Sequence, residues 1–259
     1  MKKYIILLIL LGLAELTEAQ GILIEYSYIT FGNNKGAKAF TFSNDQENTF
    51  MIGDGKKGEY GYKNVLANPD LLNPYYLYSY DKTNDTFYQA LPYFFTTVPE
   101  FDSKFAADKV GALNWVISGD KKTILGYECT KATAEFRGRK WEVWFTTALN
   151  AEAFPWKLHG LPGVILEAGD SEKLFLFIAE RISVNSEYDI VPGVKKFFSK
   201  NRTNAVDYKT LIEHQNRGLM ELQSQQLSKY PSRTQFQGIP HFRSGEFERS
   251  HEWENSKKK

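Results

Sequence analysis

The sequence predicts a mainly β protein with some helix, an α+β fold built on a curved antiparallel sheet or half-barrel with a C-terminal helix. Three features lead there. Short runs of alternating or wholly apolar residues, rich in β-branched and aromatic types, recur across 22–183. From Trp115 onward most of the connections between them are too short for parallel crossovers, which need roughly a dozen residues or more. Apolar residues at helical spacing come only after Thr203.

The elements follow in chain order. Lys2 and Lys3 precede an apolar run over 4–14, and Thr17-Glu18-Ala19 offers a small residue for cleavage. That order predicts a signal peptide over 1–19, with Gln20 opening an exported chain in the periplasm or cell envelope. The apolar run is shorter than the ~20 residues of a membrane-spanning helix, so none is expected after cleavage. Stretches 22–31, 38–43 and 48–52 read as strands, the last leading into Gly53-Asp54-Gly55, a hairpin signal. Stretches 74–80 and 86–91 form an aromatic hairpin around the polar turn 81–85. Strands over 115–118, 122–125, 127–136, 140–146, 163–168 and 174–183 follow. Most are divided by short turns: Gly119-Asp120, Gly126, Arg137-Gly138 and Gly169-Asp170-Ser171. Ala205, Tyr208, Ile212, Leu219 and Leu222 predict a helix across 203–229, capped by Thr203 or Asn204. Residues 20–230 then make one domain, and the polar stretch 231–259 a flexible tail.

At 42% hydrophobic and 15% aromatic, a chain of 259 residues can bury a sizeable core. Its net charge of +1 argues against a nucleic-acid binder, which carries a basic excess. A single cysteine, Cys129, forbids an intramolecular disulfide, and its expected place is inside a strand.

The segment Gly160-Leu161-Pro162-Gly163-Val164-Ile165 specifies backbone shape more than chemistry: proline presets φ, and glycine accepts positive φ. With Gly126-Tyr127, Lys131-Ala132 and Trp141-Glu142-Val143-Trp144-Phe145-Thr146 upstream, it resembles the GLPGLI family of exported proteins of Gram-negative bacteria. The resemblance spans most of the mature chain and is densest over 115–168, with Phe154 and Val164 departing from the family's usual glycine and leucine. It implies kinship and compartment, and brings no activity with it.

The four histidines, His159, His214, His241 and His251, make no metal-site spacing, so neither metal nor cofactor is expected. The expected function is a non-catalytic binding or carrier protein for an apolar small molecule or an extended peptide. Trp141, Trp144, Trp156 and His159 are its candidate binding surface. The alternatives are an envelope hydrolase using His159 as base with Cys129 as nucleophile, or an accessory partner of an outer-membrane protein.

Overall fold

Period-two alternation sorts side chains onto two sheet faces, and the computed structural model turns that pattern into one twelve-stranded sheet. The structure describes residues 21–30, 33–53, 77–90, 105–186, 192–228, 243 and 246–255. The leader over 1–19, the Asp54-Gly55 turn and His241 lie outside them.

Strands β1 (Gly21–Thr30), β2 (Asn33–Ser43), β3 (Glu47–Ile52), β4 (Leu77–Asp81), β5 (Thr86–Ala90) and β6 (Phe105–Asp108) pair antiparallel in sequence order. A second run comprises β7 (Val116–Ile124), β8 (Tyr127–Phe136), β9 (Arg139–Thr146), β10 (Val164–Asp170) and β11 (Phe175–Ser186). It joins the first where β11 lies antiparallel against β1. The two-residue β12 (Val206–Asp207) then docks parallel to β6, so the sheet is mixed rather than wholly antiparallel. It is open, running from β12 at one edge to β7 at the other.

Two expectations change in detail. The stretches 115–118 and 122–125 are one strand, because a register shift between Ile117 and Lys121 absorbs Gly119-Asp120 as an irregularity. Helix α1 (Pro192–Arg202) was not anticipated, although Pro192 at its start, the buried i,i+4 pair Val194 and Phe198, and Lys200 and Arg202 in its last turn are helix signals. Helix α2 (Tyr208–Leu227) is the expected C-terminal helix. Its cap is Asp207, whose Oδ2 accepts from the Thr210 N–H and hydroxyl, both at 2.9 Å.

The two faces hold different cores. On one, α1 lays Val194 and Phe198 onto Leu23, Phe40, Phe42, Met51, Leu77 and Phe105. The other carries the larger core, in which Tyr26, Phe50, Trp141, Val143 and Phe177 are covered by Phe154, Trp156, Leu158 and Leu161 of the β9–β10 connection. Burying each large side chain stabilises by about 1.5–3 kcal/mol, so this face is strongly committed to the chain itself. Residues 231–259 were expected to form a flexible tail, yet Phe247, Glu248 and His251 are buried, and α3 (Glu252–Asn255) follows. Phe247 lies among Tyr28, Trp141, Trp156, Phe175 and Phe177, at centroid distances of 4.4–6.5 Å.

Candidate functional site

The motif is a backbone device. Gly160 and Gly163 have φ of +89° and +124°, and a Cβ on Gly163 would stand 2.2 Å from the Thr146 carbonyl oxygen. Hydrogen bonds from Ala153 N to Gly163 O and from Ile165 N to Ala153 O tie the connection shut. Inside it, Trp156 adopts φ +52° and packs against Trp141 at 5.3 Å.

The four residues of the expected binding surface do not share a surface. Trp141, Trp156 and His159 are buried, whereas Trp144 is half-buried with Lys122 Nζ 4.3 Å above its ring. His159 Nδ1 faces the Lys157 carbonyl at 3.1 Å, and its ring sits among Tyr80, Phe87 and Phe154. Burial lowers its pKa and keeps the ring neutral. Cys129 donates to the Tyr127 carbonyl, and burial pushes its thiol up. Each side chain is held by a nearby backbone carbonyl, and no hydrogen bond joins Cys129 to His159 among the described residues, so the thiol–imidazole pair is not assembled.

Two constellations of charge remain. The first is buried. Arg137 spans Asp108 (2.8 and 2.9 Å) and Glu248 (2.9 Å), and Lys157 Nζ reaches the same two carboxylates at 2.6 and 2.7 Å. Tyr208 OH donates to Glu248 at 2.6 Å, and His251 Nε2 lies 3.0 Å from it. Burial alone would raise the Glu248 pKa, but Arg137 and Lys157 overcome it and hold the carboxyl well below its usual range. Burial, then the Glu248 charge, raises Tyr208 well above an ordinary phenol. Arg137 Nε also reaches the exposed Glu252 at 3.2 Å, and the cluster clamps β6, the β8–β9 turn, the 153–163 segment and the C-terminal segment together.

The second constellation is open. A cavity of about 410 Å³ is lined by Gln46 and Glu47 at the β2–β3 turn, Asp81, Thr83 and Asn84 at the β4–β5 turn, and Phe198, Ser199 and Arg202 at the end of α1. Alternate turns of an antiparallel meander fall at the same end, which brings the two hairpin turns together. The Lys82 N–H donates to the Gln46 carbonyl across them at 2.9 Å.

Each wall is fixed from behind. Asn44 Oδ1 accepts from the Gln46 and Glu47 N–H groups, both at 2.9 Å. Asp81 accepts from the N–H groups of Thr83 and Asn84 and from the Asn84 side-chain amide at 2.9 Å. Burial would raise the Asp81 carboxyl, but these donors and the Arg202 charge bring it below its usual range. Arg202 donates to Glu47 at 3.1 Å and to Ser79 at 3.0 Å, and lies 3.9 Å from Asp81. Its Nε is buried and has no partner among the described residues. The cavity therefore presents carboxylates, amides, hydroxyls and a guanidinium on preorganised backbone, a set that pairs with vicinal hydroxyl groups. Among the described residues no group of three His, Cys, Asp or Glu could hold a metal ion.

The sequence reading treated Asp81 and Asn84 as turn residues and did not connect them with Arg202. Meander parity was the available signal for the two turns, whereas the position of α1 was not legible.

Residues 68–210 match the family model described as N-glycanase peptide, N-terminal domain. Among solved structures, that of PNGF-II in C2 space group aligns with a TM-score of 0.52 and 14% identity, over 76% of this chain and 33% of that one. PNGF-II in P21 space group aligns with a TM-score of 0.47 and 16% identity, over 66% and 29%. The chain thus spans about a third of the length of PNGF-II, and at this identity the C2 likeness is one of fold. No curated protein matches.

These matches correct the GLPGLI kinship, because the family model recognised over the motif region is a different one. They also overturn the non-catalytic carrier of an apolar ligand. The family is one of N-glycanases, and the apolar face expected to hold a ligand is filled by Phe154, Trp156, Leu158, Leu161 and Phe247.

Proposed function

The chain belongs to the N-glycanase peptide N-terminal domain family, and on that premise we propose that it takes part in the enzymatic release of N-linked glycans by holding carbohydrate in the open cleft. The observation that carries this reading is the family match over 68–210, which contains Asp81, Thr83, Asn84, Phe198, Ser199 and Arg202 of the cleft. The cavity, about 410 Å³, lies in the range of small-ligand pockets, roughly 300–1,000 Å³. Sugar hydroxyls both donate and accept, so Asp81 and Glu47 accept hydrogen bonds from them while Asn84, Gln46 and Arg202 donate to their oxygens. We read the sheet as curved toward its larger core, since Phe50 and Phe177 meet at 5.5 Å from strands three positions apart. With that inner face packed, the hairpin turns are left to meet a substrate.

Holding the glycan in this way orients the amide that links it to asparagine for hydrolysis. The test pairs two measurements on the full chain: calorimetric binding of a neutral high-mannose N-glycan, and mass-spectrometric detection of glycan released from a glycoprotein carrying it. Saturable binding that weakens in Asn84→Ala supports the reading. Absence of both binding and release defeats it.

A further inference from the structure

We infer that the cleft selects neutral N-glycans against acid-capped ones; this rests on the proposed carbohydrate site and adds its specificity. The ground is the balance and placement of charge in the lining. Glu47 and Asp81 are the anions and Arg202 the cation, while Gln46, Thr83, Asn84 and Ser199 are uncharged.

Arg202 is already paired with one anion of the lining. Glu47 holds its Nη2 at 3.1 Å, Ser79 shares that nitrogen at 3.0 Å, and its plane lies over the Tyr88 ring at 5.0 Å. The second carboxylate, Asp81, stands 3.9 Å from Nη1, beyond hydrogen-bond length. One negative charge is therefore left over in the cavity. Asp81 is ionised at neutral pH and fixed there by three donors from Thr83 and Asn84, so it cannot turn away from an incoming group.

A carboxylate or sulfate on a sugar would enter beside this charge and lose its own hydration. A neutral sugar instead donates hydroxyl hydrogen bonds to the same oxygens. Like-charge juxtaposition of this kind is a common device of specificity, because it acts on the wrong ligand and leaves the right one untouched.

The experiment is a calorimetric titration of the full chain with a galactose-terminated biantennary N-glycan and with its sialylated counterpart. It is run at low and at 0.5 M salt, with wild type and with Asp81→Asn, which keeps the acceptor oxygen and removes the charge. The expected result is at least tenfold tighter binding of the neutral glycan at low salt. The gap should narrow severalfold at high salt and in Asp81→Asn, where the sialylated glycan gains. Equal or tighter binding of the sialylated glycan to wild type overturns the inference and leaves the carbohydrate site standing. Binding of neither glycan overturns both. Should Asp81→Asn fold poorly, the wild-type salt dependence decides: a gap that does not move with salt is not electrostatic, and the inference falls.

Discussion

Arg137 and Arg202 each bridge carboxylates from separate elements, yet they sit in opposite settings. The Arg137 side chain is 1% exposed between Asp108 and Glu248, whereas that of Arg202 is 30% exposed between Glu47 and Asp81. Where water is excluded, a charge must be matched in full, because an unmatched partner cannot be solvated. The first cluster therefore sets both cations against buried carboxylates, with a partner from each element it joins. Where water remains, screening lowers the stakes and an imbalance is tolerated. The second cluster keeps an unmatched carboxylate and a space for a ligand. Similar side-chain chemistry closes a buried junction in one place and lines an open cavity in the other, and solvent access separates the two.

Substitutions can break that contrast. The largest effect is expected for Glu248→Ala, which leaves Arg137 and Lys157 sharing Asp108 as their remaining buried carboxylate and should cost about 3–5 kcal/mol in denaturant unfolding. Glu47→Ala should cost about 1 kcal/mol or less in the same assay. Equal losses would show that the two clusters are not energetically distinct.

Acid should reveal the same difference. The Glu248 carboxyl is depressed in the folded chain, so its contribution is fully present above the ordinary carboxylate range and is lost as pH falls through its lowered folded value. Thermal unfolding between pH 7 and 2 should show a falling Tm below that ordinary range. Glu248→Gln should flatten this slope far more than Asp81→Asn, whose carboxyl is lowered in a more exposed setting. A wild-type slope that survives Glu248→Gln would shift the acid sensitivity to other carboxylates.

The smallest expected effects on stability lie in the cleft. Asn84→Ala and Gln46→Ala should each change unfolding free energy by about 0.5 kcal/mol or less. Each should weaken binding of a neutral glycan by about 0.5–1.5 kcal/mol, the worth of one hydrogen bond. A calorimetric Kd raised by two- to tenfold would register that loss. Unchanged affinity in both variants would move the carbohydrate site elsewhere.

The strands were largely legible because alternation is a local property. Residues 127–136 were read with the bounds that β8 has, and the 81–85 turn falls between β4 and β5 as expected. The short β6, Phe-Ala-Ala-Asp, carries too little pattern to declare itself, and it supplies Asp108 to the buried cluster. Polarity misled in the C-terminal segment. Glu248 and His251 look like solvent-facing residues until Arg137 and Lys157, more than ninety positions away, are placed against them. Trp141, Trp156 and His159 invited a binding role through their types, but the core claimed them. For the cleft, the Asp81 and Asn84 turn could be read, while Arg202 reaches it only because α1 packs across β1–β4.

By itself the sequence determined the β periodicity, the turn at Gly160-Leu161-Pro162-Gly163 and the C-terminal helix. Each depends on backbone preference and on the spacing of apolar residues within a few positions. Only the tertiary structure decided which charges lost their water and which kept it. That outcome depends on elements far apart in the chain closing over Arg137 and stopping short of closing over Arg202, and desolvation is a property of the assembled packing, which no local stretch of residues encodes.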